Sequence, residues 1–200
     1  MAFCSTDSGY PVAGAGQFVL GQKPARSAIY SMHNAMFTRL LVGGLLCAVF
    51  SFNSHASLSE AADKIVVNKS KRELLLFQGQ KLIRSYRVAL GRAPVGPKES
   101  EGDGKTPEGV YKINGKYAQS AYHMALRVSY PNTKDREHAQ RRGLAPGGDI
   151  MIHGLPSGYG LIGAAHRLKD WTEGCIAVTN AEIEEIWRLV TNGTTIQINP

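Results

Sequence analysis

Short apolar runs separated by turn residues dominate the chain beyond residue 60. Lys64–Asn68 is apolar and β-branched, and Leu82–Leu90 shows an imperfect period of two, which is the pattern of a strand with one buried face. The stretches 69–71 and 78–80 separate the first three runs and have the composition of tight turns. We therefore predict a mainly β domain, with strands at Lys64–Asn68, Glu73–Phe77, Leu82–Leu90, Val110–Ile113, Ala125–Val128 and Ile150–Ile152.

One later segment has a helical period instead. Thr179 and Glu182 have the spacing of a capping box, in which each residue satisfies a backbone N–H of the other. The apolar residues that follow recur at i, i+3, i+4 and i+7 and form one face: Ile183, Ile186, Trp187 and Val190. These features predict an α-helix over about residues 180–191, stopped by Gly193 and followed by a last strand at Thr194–Ile198.

Two polar segments interrupt the strands. Residues 91–109 are rich in glycine, proline and charge and predict a long surface loop. Residues 131–148 have a charged centre and predict a short helix or a flap.

The first 56 residues have the features of an export signal. Arg39 precedes an apolar run of 13 residues, Leu40–Phe52, and Ser54-His55-Ala56 has the small-x-small pattern of a cleavage site. The run is shorter than the roughly 20 residues of a membrane span, although an uncleaved anchor or a buried helix is the alternative. We predict a non-structural extension at residues 1–35, a signal peptide at 36–56 and one domain at 57–200, exported to the periplasm or cell envelope, with no stable membrane span after signal removal.

The charge of the predicted domain is moderately basic. Of the 23 Lys and Arg, three precede residue 57, and of the 16 Asp and Glu one does, which leaves 20 against 15 and a net charge of +5. The basic residues are scattered and are not interleaved with aromatic side chains. This distribution argues against nucleic acid as a partner and is compatible with an anionic cell wall.

Cys175 is the only cysteine of the predicted domain, since Cys4 and Cys47 precede residue 57. Structural thiols in an oxidising compartment normally occur in pairs, so a single one is buried and inert, intermolecular, or a nucleophile. Gly174 precedes it and would allow backbone N–H groups to approach a developing oxyanion, although a β-bulge glycine is the simpler interpretation.

A nucleophilic thiol needs a base, and imidazole is the usual one. His153 ends an apolar strand immediately before Gly154, where site residues are often presented. His166 lies nine residues before Cys175 and is a second candidate, whereas His123 and His138 are interpreted as structural and surface residues.

These residues carry a resemblance to a known family. The motif MIHG at 151–154, the pattern T-x-G-C at 172–175, the upstream TPEG at 106–109 and the final GTTIQI together resemble the L,D-transpeptidase catalytic domain of the YkuD type. The resemblance covers nearly all of the predicted domain and implies a β-sandwich or barrel. The sequence departs from the family pattern where Glu173 replaces a histidine and where Ala177 replaces a frequent arginine, and the spacing implies an insertion around residues 159–168.

The resemblance also implies a reaction. Cys175 would attack a peptidoglycan stem peptide next to its terminal D-alanine, and His153 would take the thiol proton. The thioester would pass to an acceptor amine, giving a 3→3 cross-link or attachment of an envelope lipoprotein, or to water in a carboxypeptidase- or endopeptidase-type hydrolysis. Gly154 would position His153 through its carbonyl, and the cleft would include the remaining candidates, which are His166, Asp170, Thr172 and Glu173. Neither a metal nor an organic cofactor is required.

Three alternatives remain at the level of sequence. A sortase-like enzyme would want an arginine on a strand soon after the cysteine, and residues 176–187 contain none. A wall-binding domain without catalysis would bury Cys175 as an inert thiol. A zinc site could draw on His153, His166, Asp170 and Cys175, although their spacing matches no compact zinc motif.

Overall fold

The computed structural model describes residues 60–200, so the predicted extension at 1–35 and the signal peptide at 36–56 lie outside the described residues. The described part forms one eight-stranded sheet with two α-helices and one 3-10 segment, Gly160–Leu168. The prediction of a mainly β fold is confirmed. The strands are β1 Ala62–Asn68, β2 Glu73–Gln78, β3 Lys81–Arg87, β4 Gly109–Ser120, β5 His123–Val128, β6 Met151–His153, β7 Ile176–Ala177 and β8 Val190–Asn199, and the helices are α1 Thr133–Arg141 and α2 Asn180–Leu189.

The strand order is β3-β2-β1-β8-β4-β5-β6-β7, so the last strand along the chain lies at the centre. β8 pairs in parallel with β1 on one side and antiparallel with β4 on the other. The sheet curls, because the residues that follow β3 reach the outer edge of β7 through bridges from Ala89 to Ala177 and from Gly91 to Thr172. The curled sheet therefore has its two ends close together at the segment that leads to Cys175.

Helix α2 covers one face of the sheet. Thr179 and Glu182 form the predicted capping box, with both reciprocal contacts present. Ile183 and Ile186 are fully buried against the core, and the burial of each side chain stabilises the fold by about 2 kcal/mol. The capping box fixes where α2 begins, which places its first residue beside the end of β6.

The helix ends two residues before its predicted end. Helix α2 ends at Leu189, and Val190, which was predicted on its apolar face, already has extended dihedrals and begins β8. Val190 pairs with Ala62 of β1, whose need for a parallel partner outweighs the local helical period. Gly193, predicted to stop the helix, lies with φ +92° in the stretch of β8 where the register with β1 shifts.

Other boundaries differ by a few residues. Strand β3 ends at Arg87 rather than Leu90, and β4 continues to Ser120 rather than ending at Ile113. Helix α1 confirms a short helix within the polar segment 131–148. Within residues 60–200, no helix has the length and apolar character needed to cross a bilayer.

Candidate active site

The parallel pairing of β6 with β7 brings His153 and Cys175 to the same part of the molecule. In this register Ile152 is opposite Ile176 and His153 is opposite Ala177. Cys175 precedes Ala177 by two residues, and side chains two residues apart on an extended chain share a face. Cys175 also packs in one buried cluster with Met151 of β6 and Ala125 of β5. Ala125 is opposite His153, and Met151 lies two residues before His153, so both share the face of the sheet on which His153 lies. The pairing therefore brings His153, the last residue of β6, and Cys175, which directly precedes β7, to neighbouring positions of the sheet although 22 positions separate them in the sequence.

The thiol of Cys175 is held inside the protein. The residue is 1% exposed, and its Sγ donates to the carbonyl oxygen of Asp149 at 3.5 Å. The carbonyl oxygen of Cys175 accepts a hydrogen bond from the hydroxyl of Thr172 at 2.7 Å. Burial by itself fits the inert-thiol alternative as well as a nucleophile, so the surrounding groups decide between them.

Gly91 and Gly174 allow three backbone segments near Cys175 to pack closely. Gly174 has φ +132°, and a Cβ there would lie 2.6 Å from the carbonyl oxygen of Lys105. A Cβ on Gly91 would lie 2.2 Å from the carbonyl oxygen of Gly104 and 3.1 Å from the Cα of Gly174. The N–H of Gly174 donates to the hydroxyl of Thr172 at 3.1 Å. The absence of a side chain at Gly174 allows the backbone of Lys105 to approach it closely.

His153 is buried at the end of β6. Its Nδ1 lies 2.7 Å from the carbonyl oxygen of Gly154, which is the positioning contact that the resemblance implies. A carbonyl oxygen only accepts, so we assign the proton to Nδ1, which leaves Nε2 as the proton acceptor. Burial lowers the pKa of His153 to about 4, although the hydrogen bond to Gly154 acts in the opposite direction. The imidazole is therefore neutral near pH 7 and can take a proton.

Gly154 and the start of α2 fix the end of β6. A Cβ on Gly154 would lie 2.7 Å from Oδ1 of Asn180 and 3.0 Å from the side chain of Ile183. The same Oδ1 accepts a hydrogen bond from the N–H of Leu155 at 2.8 Å. Asn180, the first residue of α2, thus holds the strand end that carries His153. Sequence reasoning missed this role, because an asparagine after a helix cap carries no signal of a long-range contact.

An aromatic layer covers the imidazole. The ring of Tyr122 lies 4.5 Å from the ring of His153, and that of Trp171 lies 5.8 Å from it, centroid to centroid. The indole N–H of Trp171 donates to Nδ1 of His166 at 3.4 Å. Burial lowers the pKa of His166 to about 4. His166 thus lies behind Trp171, in the outer part of this layer.

The other predicted cleft residues hold the loop 170–174 in place. The two carboxylate oxygens of Asp170 bind the guanidinium of Arg72 at 2.8 Å and the N–H of Leu90 at 2.9 Å. The backbone of Thr172 donates to Leu90 and accepts from Arg92. Glu173, which replaces the family's histidine, forms an ion pair with Arg92.

The zinc alternative finds no support in the positions of its residues. The carboxylate of Asp170 is engaged by Arg72 and by the backbone of Leu90, away from the three other candidates. Among the described residues, no group of three or more histidine, cysteine, aspartate and glutamate side chains has the arrangement of a metal site.

A buried lysine beneath the site was not anticipated. The Nζ of Lys69 donates to the carbonyl oxygens of Gly96 and Thr106 and to the carboxylate of Glu108, at 2.6, 2.8 and 2.8 Å. The hydroxyl of Thr106 in turn accepts from the N–H of Gly91, which packs against Gly174. Burial lowers the pKa of Lys69, and the contact with Glu108 opposes that shift. The TPEG motif at 106–109 is therefore an anchor for the backbone around the cysteine.

The pKa of His153 predicts a pH dependence of stability. The unfolded chain takes up this proton as the pH falls through about 6.5, and the folded chain only near pH 4. The free energy of unfolding is therefore expected to fall between pH 6.5 and 4, with about 3 kcal/mol attributable to His153. Urea unfolding at both pH values measures it, and His153→Asn should make the fall shallower, with His166, whose pKa burial also lowers to about 4, contributing to the remainder. His138→Asn, at an exposed surface position, is the control, and an equal slope in wild type and His153→Asn would contradict the assignment.

Comparison with known proteins places this site in a family. A family model for the L,D-transpeptidase catalytic domain, YkuD, matches residues 62–198. YafK of Escherichia coli (strain K12), named for a suggested L,D-transpeptidase activity, is 32% identical over 133 residues, which are 64% of this chain and 46% of YafK. The chain thus spans less than half the length of this curated relative.

Solved structures agree with the family model. A crystal structure of a variant of Pgp2, the helical cell shape determining protein from Campylobacter jejuni, matches with a TM-score of 0.54 and 28% identity over 70% of this chain and 47% of that one. The structure of Pgp2 itself matches with a TM-score of 0.53 and the same identity over 68% and 47%. The fold and the site define a β-sheet domain with a buried histidine at the end of β6 and a buried cysteine directly before β7. The chain belongs to the L,D-transpeptidase catalytic domain family.

Proposed function

We propose that this protein is an exported cysteine acyltransferase that acts on peptidoglycan stem peptides as an L,D-transpeptidase. The observation that supports the proposal is the parallel pairing of β6 with β7, which sets His153 opposite Ala177, two residues after Cys175. Membership of the family supports the choice of substrate. In this proposal residues 57–200 are the catalytic domain and residues 36–56 are the signal that delivers it to the periplasm or cell envelope.

The first half of the reaction uses these two side chains. The Sγ of Cys175 attacks the carbonyl carbon that precedes the terminal D-alanine, and Nε2 of His153 takes the thiol proton. The carbon–nitrogen bond then breaks, and the same proton passes to the departing amine. The products are a thioester on Cys175 and free D-alanine.

The second half transfers the acyl group. An acceptor amine attacks the thioester, loses one proton through His153 to the cysteine sulfur, and leaves with a new amide bond. An acceptor on a second stem gives a 3→3 cross-link, and an amine of an envelope lipoprotein gives protein attachment. The neutral imidazole that burial imposes on His153 suits both halves, because each half begins with removal of a proton.

A second candidate replaces the acceptor amine with water. The protein would then be an L,D-carboxypeptidase or an endopeptidase that trims stems or releases an attached lipoprotein. The similarity to Pgp2, a cell shape determining protein, supports this candidate, because trimming of stem peptides changes the number of cross-links in the wall.

Incubation of the purified protein with muropeptides tests the proposal. We expect free D-alanine together with either a 3→3 dimer or a shortened stem, each identified by liquid chromatography and mass spectrometry. The dimer indicates transfer and the shortened stem indicates hydrolysis. The same protein alkylated with iodoacetamide under denaturing conditions is the blank. A muropeptide profile identical to that of the blank would contradict the proposed function.

A further inference from the structure

One arginine lies in line with the candidate nucleophile on the same face of the sheet. Arg127 of β5 is opposite Met151 of β6, and Ala125 is opposite His153. The parallel register puts His153 opposite Ala177, and Met151 and Cys175, each two residues earlier on its segment, pack together in one buried cluster. Arg127 is thus two strand spacings from Cys175, or about 10 Å between Cα atoms.

A single residue contacts both side chains. The backbone carbonyl oxygen of Asp149 accepts from the Sγ of Cys175 at 3.5 Å, and its carboxylate lies 3.4 Å from the guanidinium of Arg127. Asp149 has φ +52°, a conformation that costs free energy in a residue other than glycine and often occurs at functional sites. The thiol and the guanidinium therefore contact the same residue, the thiol through its backbone carbonyl and the guanidinium through its carboxylate.

Arg127 is also less engaged than the other arginines near the site. Its contact with Asp149 is the longest arginine ion pair among residues 60–200, and both side chains are close to two-fifths exposed. Its Nε is buried, and no hydrogen-bond partner for it occurs in the described part of the chain. Arg72 and Arg92, by contrast, form ion pairs with Asp170 and Glu173, respectively.

We propose that Arg127 binds a carboxylate of the acyl donor, next to the amide bond that Cys175 attacks. This inference rests on the proposed function, because it takes a stem peptide as the ligand. The planar guanidinium offers parallel N–H groups that match a carboxylate in a bidentate pair, and the loose contact with Asp149 leaves them for that use. Asp149 holds the guanidinium in position in the unoccupied protein and releases it to the donor.

Two carboxylates of the donor fit the reach of this side chain. The carboxylate of the terminal D-alanine lies one residue beyond the scissile amide, a step of about 3.8 Å. The free carboxylate at the side-chain end of a diamino diacid lies on the other side of that amide. Both offer the same chemistry, so the test uses one peptide for each source.

Binding to a protein that cannot react separates this inference from the proposed function. The probes are a synthetic tetrapeptide stem with free carboxylates, the same peptide amidated at the terminal D-alanine, and the same peptide amidated at the diamino diacid. Calorimetry measures the Kd of each for Cys175→Ala and for Cys175→Ala combined with Arg127→Gln. Arg84→Gln is the matched control, since Arg84 is a partly exposed arginine on β3 that is paired with Glu60 and Glu185.

We expect one of the two amidated peptides to bind Cys175→Ala about 10- to 100-fold more weakly than the free acid. Arg127→Gln should remove that difference, Arg127→Lys should restore part of it, and Arg84→Gln should leave it intact. An unchanged preference in Arg127→Gln, the absence of any preference, or no measurable binding of the free acid would each overturn the inference. If the proposed function fails, the wild-type protein releases no D-alanine from the free acid although the binding difference persists.

Discussion

Cys175→Ala is expected to release D-alanine from muropeptides at least about 10³-fold more slowly than the wild-type protein. The reason is that no other described thiol can form the acyl-enzyme, and an activated nucleophile and its base act as a unit. The measurement is kcat/KM for D-alanine release, with intact-protein mass spectrometry to detect the thioester on Cys175.

The variant itself is not expected to unfold. Cys175 is 1% exposed, and the loss of one buried sulfur atom costs about 1 to 2 kcal/mol. Met151→Leu is the matched control, because Met151 packs in the same buried cluster and keeps its volume in this substitution. Its thermal unfolding and its activity should stay close to those of the wild-type protein. Undiminished release of D-alanine by Cys175→Ala would end the assignment of the nucleophile and favour a thiol that only fills space.

Lys69→Met is expected to lower the free energy of unfolding by about 3 to 5 kcal/mol. Lys69 is 2% exposed, and its removal leaves the Glu108 carboxylate and the carbonyl oxygens of Gly96 and Thr106 without their donor. An unpaired charge inside a protein is costly, because neither water nor a partner of opposite charge compensates it in an interior of low dielectric constant. Urea unfolding at neutral pH measures the loss.

A surface ion pair provides the control for Lys69→Met. Glu60 and Arg84 are paired at 2.8 Å with both side chains more than a third exposed, so Glu60→Gln should cost less than about 1 kcal/mol. Because Thr106 also accepts from Gly91 beside Gly174, the protein with Lys69→Met that remains folded should lose activity as well. Equal effects of the two substitutions on the free energy of unfolding would show that the buried network of Lys69 stabilises the fold no more than a surface ion pair does.

The fold was predictable where local pattern and long-range pairing agree. Strands β1 and β2 are short apolar runs joined by a short turn, so their prediction required no knowledge of the rest of the chain. The capping box fixed the beginning of α2 in the same way. The end of α2 was mispredicted because Val190 satisfies a helical period locally but is needed as the parallel partner of Ala62.

The site was predictable as a set of chemical groups but not as a geometry. Cys175 and His153 were found from residue type and neighbouring glycines, whereas their approach depends on a parallel pairing of strands only two and three residues long. Lys69 and Asn180 were missed because each acts through backbone atoms far away in the sequence. Arg127 was missed for a different reason, since its relation to Cys175 exists only through the register of three strands.

The closure of the curled sheet has a consequence for how a peptide can dock. The outer edge of β7 is already hydrogen-bonded within this chain. Ala177 exchanges two main-chain hydrogen bonds with Ala89, and the backbone of Thr172 is bonded to Leu90 and Arg92. An incoming ligand therefore cannot join as an additional ladder strand beside the thiol, a mode that many peptidases and peptide-binding domains use. A stem of mixed stereochemistry would be a poor ladder partner in any case, because its D-residues break the regular alternation. In the proposed reaction, the stem peptide would then be selected by contacts with side chains and not by main-chain pairing.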